Sequence, residues 1–188
     1  TGKADLCGRL CFSRPSIHLV IQASILSRRL VMTPLTSGDI DALRRIGGDG
    51  SIFRYIPDIA QPFDPVRLFK LATYNRANSV AHLVRLRGSK VAIGFMQVGL
   101  RRNAELQIGY FMDRDYWGRH LATEAIGATM AFLLSIGVPP LFHAAVHPEN
   151  AASLRVLQRL GFRRLEVDGA VAGARQGMVE HVWSPDAR

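Results

Sequence analysis

The stretch Tyr116 to Ala125, reading YWGRHLATEA, places a glycine just ahead of a long apolar run, and its residue types suit the holding of an anion. Backbone N–H groups in the first turn of a helix lack an intrahelical acceptor, and with the positive end of the helix dipole they attract phosphate or pyrophosphate. Gly118 lets such a ligand approach the backbone closely. Asn150 and Ser153 form a second constellation, because an asparagine side chain caps a helix and a serine three residues on completes the first turn. His82, His143 and His147 could exchange protons near neutral pH, yet each also suits a packed position in or beside a strand. Cys7, Cys11 and His18 offer three ligands at irregular spacing rather than the paired four of structural zinc, so free thiols and no metal are expected.

These residues need elements to position them. ELQIGYFM, from Glu105 to Met112, alternates so that Leu106, Ile108, Tyr110 and Met112 share one face of a strand. After the anion-binding corner, Leu121, Ala125, Ile126, Met130 and Leu133 recur at helical spacing, until Gly137 with Pro139 and Pro140 stops the run. Upstream, Leu30 to Met32 reads as a short strand, and Thr36 with Asp39 as a capping box opening a helix through about Ile46. The proline- and aromatic-containing segment from Ser51 to Pro65 reads as a loop that folds over a site, followed by a helix from about Asp64 to Arg76. Val80 to Arg87 and Val91 to Leu100 form a hairpin around Gly88, and with the Glu105 strand they make a meander. Leu141 to Val146 is a further strand, and Asn150 opens a helix whose Leu154, Leu157 and Leu160 share a face before Gly161 ends it. Phe162 to Val167 and Met178 to Trp183 are strands around a Gly- and Ala-rich loop. The fold class is therefore mixed α/β, with a mostly antiparallel sheet of about seven strands flanked by about four helices.

A chain of 188 residues with 48% hydrophobic and 21% charged residues supports one full core and no second one. Residues 1–26 read as an N-terminal extension, 27–184 as the domain and 185–188 as a tail. The net charge of +9 favours anionic partners, but the basic residues are scattered, so nucleic acid is not an expected partner. Ile17 to Leu26 is too short and too polar to span a bilayer, and Asp5 ahead of it argues against a secretory leader, so no membrane partner and a cytoplasmic location are expected.

The order of elements resembles the GNAT superfamily of N-acetyltransferases over about Ser27 to Trp183. SRRLVMTPL resembles its opening strand, IGYFMDRDYWGRHLATEA its acetyl-CoA motif and HPENAASLRVLQRLGF its second cofactor motif, together pointing to the branch of ribosomal-protein alanine N-acetyltransferases. The resemblance implies acetyl transfer from acetyl-CoA to a primary amine, of a peptide or protein N-terminus or a small molecule, by direct attack in a ternary complex without a metal. It places the pyrophosphate at Trp117, Gly118, Arg119, His120, Leu121 and Ala122 with Thr123 behind, and the pantetheine arm along Tyr110, Phe111 and Met112. It has Asn150 contact the cofactor and Ser153 hydrogen-bond or protonate the leaving thiolate. His120 stands where the family usually has glycine.

A neutral amine needs a base, for which Glu105 is the candidate, with the three histidines as alternatives. Gln107 stands where relatives often carry glutamate, and a carboxamide cannot act as a base. Tyr110 could donate a proton or serve as packing. A second reading is a catalytically weak acyl-CoA-binding or regulatory module on the same fold. The acceptor's identity and the oligomeric state, a homodimer among the options, are open at this level.

Overall fold

The alternation along the meander becomes β3 (Ser79–Leu86), β4 (Ala92–Leu100) and β5 (Leu106–Met112), paired antiparallel in sequence order. The computed structural model describes residues 23–74, 78–101, 105–137, 141–165 and 177–185, so the cysteines, His18 and the Gly- and Ala-rich loop lie outside it. Around the meander, β1 (Ile25–Leu26), β2 (Leu30–Pro34), β6 (Phe142–Val146), β7 (Arg163–Arg164) and β8 (Val179–Trp183) complete one sheet, ordered β1-β2-β3-β4-β5-β6-β8-β7. The strand beyond the expected seven is β1, where Ile25 pairs with Met32 and is buried.

Successive residues of a strand face opposite sides, so the single sheet carries an apolar cluster on each of its faces. On one side Leu106, Ile108 and Met112 pack with α3 (Leu121–Ser135) and α4 (Ala151–Arg159), through Leu121, Ile126, Leu133 and Leu157. Each fully buried large aliphatic side chain there contributes about 1.5–3 kcal/mol. On the other side Leu83, Phe95 and Phe111 pack with α1 (Ile40–Gly47) and α2 (Pro65–Tyr74), through Leu43, Ile46 and Ala72. The capping box ahead of α1 is present, with the Thr36 N–H donating to Asp39 Oδ2 at 2.9 Å. No helix among the described residues is long and apolar enough to cross a membrane.

One strand pair positions the site. β5 and β6 are parallel, and they pair only at Leu106 with Phe142 and Gln107 with His143 before separating. The Leu106 N–H donates to the Leu141 carbonyl at 2.9 Å, on the β6 side of β5. Alternation of the backbone then turns the N–H and C=O groups of Tyr110 and Met112 towards the gap, and those of Phe111 towards β4.

Candidate functional site

Asp113 ends β5 by accepting from the Asp115 N–H at 3.1 Å and from Arg45 at 2.7 Å, and a short turn, Arg114–Tyr116, leads to the corner. Gly118 has φ 74°, and a Cβ there would meet nothing within 4 Å, so the backbone is open to a ligand and the conformation favours glycine. His120 caps α3 at φ 59° and ψ 17°, the one non-glycine with positive φ among the described residues. Its ring accepts from the Arg159 guanidinium of α4. Thr123, in the first turn, has a buried hydroxyl with no hydrogen-bond partner among the described residues.

The corner is tied to the first hairpin. The Glu124 carboxylate accepts from the Ser27 hydroxyl at 2.7 Å, the Arg29 N–H at 2.7 Å and Arg29 Nε at 2.6 Å, while Arg29 Nη2 reaches the Arg119 carbonyl at 3.2 Å. Burial pushes the Glu124 pKa up, but these hydrogen bonds and the arginine charge outweigh it and hold the carboxyl below its usual range.

Between this corner, the gap and α4 lies a cleft of about 690 Å³. Tyr110, Phe111, Met112, Trp117, Gly118, His120, Leu121, Ala122, Thr123, Asn150 and Ser153 all line it. Arg119 is not among its walls; its guanidinium lies over the Tyr116 ring at 5.4 Å. The Trp117 indole donates to the Met112 carbonyl at 2.9 Å, which occupies one of the acceptors facing the gap. Arg54, Arg114, Arg155 and Arg159 add positive charge to the walls and were not read from the sequence. The four-residue spacing of Arg155 and Arg159 would have put them on one helix face.

A second cavity of about 230 Å³ opens on the other side of the gap, with Gln97, Gly99, Gln107, Gly109, His147 and Met178 on its walls. Tyr55, Ile56, Tyr110, Asn150 and Ser153 line both cavities, so of the segment from Ser51 to Pro65 it is the first part, which opens as a short 3-10 turn at Gly50–Phe53, that borders them. The Tyr55 ring stacks on His147 at 5.2 Å, and His147 Nδ1 accepts from the Glu149 N–H at 3.2 Å. Burial pushes the Tyr110 hydroxyl up to about 12, with the neighbouring Ser153 hydroxyl offsetting a little, although no bond of good geometry joins them. Asn150 caps α4, its Oδ1 accepting from the Ser153 N–H at 3.1 Å.

Glu105 lines neither cavity. Its carboxylate lies 3.1 Å from His143 Nε2 and 3.9 Å from Arg101 Nε, at the closed end of the gap. Burial lowers the His143 pKa, against the pull of the Glu105 charge. His82 is buried in β3 with Nε2 3.1 Å from the Ala23 carbonyl, away from both cavities. Among the described residues no group of three or more His, Cys, Asp or Glu is placed to hold a metal ion.

The model of the acetyltransferase (GNAT) domain matches residues 29–163. An uncharacterised N-acetyltransferase, p20 of Bacillus licheniformis, is 25% identical over 152 residues, 75% of this chain and 83% of that protein. Among solved structures, RimL, a ribosomal alpha-N-protein acetyltransferase in complex with coenzyme A, superposes with a TM-score of 0.73 at 16% identity, covering 88% of this chain and 100% of that one. RimJ of Mycobacterium smegmatis, in complex with a CoA disulfide, gives 0.70 at 18% identity and 88% of both chains. The structural likenesses establish the fold, and the domain match establishes the family and with it an acyltransferase that uses acetyl-CoA. The chain belongs to the GNAT acetyltransferase domain family.

Proposed function

We propose that this protein transfers the acetyl group of acetyl-CoA directly to a primary amine, of a peptide or protein N-terminus or a small molecule, with both substrates bound at once. The observation that carries the reading is the shared wall, since Tyr55, Ile56, Tyr110, Asn150 and Ser153 border both cavities. An acetyl group at that wall is reached from the smaller cavity without leaving the larger one.

The first turn of α3 and the unpartnered Thr123 hydroxyl fit the pyrophosphate, with Trp117 to Ala122 supplying the backbone around it. The N–H and C=O of Tyr110 face the gap and suit pairing with the amides of the pantetheine arm. In the transfer the amine nitrogen bonds to the acetyl carbon as the carbon–sulfur bond breaks; the nitrogen gives up one proton and the sulfur gains one. Tyr110, kept neutral by burial, is the proton donor placed at the junction, with Ser153 beside it. Glu105 would remove the amine proton only through water, since Gln107 stands between it and the cavity along β5.

The test is a free-thiol assay with acetyl-CoA against N-terminal peptides, polyamines and aminoglycosides. Release of CoA that depends on one of these amines supports the proposal, and release with none of them opposes it.

A further inference from the structure

The floor of the smaller cavity is a two-by-two block of the sheet. Gln97 faces Gly109 across β4 and β5, and Gly99 faces Gln107. Cross-strand partners project from the same face, so within this strand pair the two glutamines stand on a diagonal, each opposite a glycine, while on their outer sides Gln97 pairs with Ala81 and Gln107 with His143. All four residues of the block line the cavity. A Cβ on Gly109 would meet nothing within 4 Å, so the space above it belongs to the cavity and not to packing.

The orientation of one carboxamide is fixed. Arg101 Nη1 lies 3.2 Å from Gln107 Oε1, and because a guanidinium only donates, the oxygen is the bound end. The NH₂ of Gln107 is therefore the end left for a ligand. Arg101 is itself held by Glu180 at 3.2 Å and Glu105 at 3.9 Å, and Glu180 is buried. Among the described residues the smaller cavity has no Asp, Glu, Lys or Arg on its walls. A second cationic centre entering it would lose water with no countercharge among these described walls to replace it.

We infer that Gln107, oriented by Arg101, and Gln97 select an acceptor whose amine stands beside an amide or hydroxyl oxygen, as at a peptide N-terminus, over a linear polyamine. The inference rests on the acetyl transfer proposed above and names the acceptor class of that same site. Gln107 donates to the acceptor's oxygen, Gln97 offers a second carboxamide, and the glycines leave room for a backbone to lie flat on the sheet.

The experiment compares kcat/KM for trialanine amide and for spermidine at saturating acetyl-CoA, in the whole protein and two variants. Wild type is expected to favour the peptide by at least about tenfold, the discrimination one well-placed hydrogen bond supplies. Gln107→Leu is expected to collapse that ratio toward one through the peptide KM, with the acetyl-CoA KM unmoved. Gly109→Val fills open space on a strand, so it is expected to fold normally, bind acetyl-CoA normally and lose peptide turnover by more than about tenfold. Equal or better use of spermidine by wild type, or a ratio that Gln107→Leu leaves intact, overturns the inference while acetyl transfer stands. Absence of CoA release with either amine and with the rest of the panel overturns the transfer reading and this inference with it.

Discussion

At the scale of single residues, His120 marks where the chain departs from the family's usual glycine, and its φ of 59° supplies the reason for that glycine. A left-handed residue with a Cβ carries about 1–2 kcal/mol of strain, offset here in part by the Arg159 contact. His120→Gly is therefore expected to leave the denaturation midpoint level or higher, whereas Gly118→Ala should lower stability by about 1–2 kcal/mol despite open space around it. Urea titration of the two variants checks both. Glu105 poses the opposite case, a plausible base by type that the fold commits to His143 and Arg101. If it acts through water, Glu105→Gln lowers kcat by about tenfold or more with the acetyl-CoA KM unchanged, and retained turnover removes it. Gly118, Asn150 and Ser153 were legible because turn and cap chemistry is local. The surroundings of Glu105 were not, because His143, which lies against it, and Glu180, which shares Arg101 with it, come from strands whose adjacency no local pattern encodes.

At the scale of elements, the corner depends on the turn between β1 and β2. Arg29 bonds Glu124 at the start of α3 and the Arg119 carbonyl in the corner, so it fixes the turn that is to meet the pyrophosphate. Its side chain is partly exposed, so the ion pair by itself contributes at most about 1 kcal/mol. Arg29→Ala is expected to raise the acetyl-CoA KM severalfold with little change in kcat, because it loosens binding geometry and leaves the reacting groups in place. Steady-state kinetics with acetyl-CoA varied separates the two. Periodicity revealed α3, α4 and the β3–β4 hairpin, since each carries its own apolar stripe. It did not reveal β1, whose two residues are too few for a period, nor the length of pairing between β5 and β6, which sets the gap.

For the whole molecule, two buried histidines link stability to pH. His82 and His143 both have pKa values lowered below 6.5, with burial the largest cause in each. The unfolded chain takes up protons near 6.5 while the folded one resists them, so stability present above that pH is lost as pH falls through the folded values. The urea midpoint is expected to drop below about pH 6.5, and His82→Gln should flatten the drop. The net charge of +9 and the arginines around the cleft suit an anionic donor substrate. Two cavities that meet at Tyr110 and Ser153 support the proposed transfer in one step without an acetylated protein. Rapid mixing with acetyl-CoA, with and without an accepted amine, followed by thiol detection and intact-protein mass measurement, tests this most directly. The prediction is CoA release only when the amine is present and no acetyl group on the protein; release without the amine, or an acetylated chain that passes its acetyl group on, would contradict it.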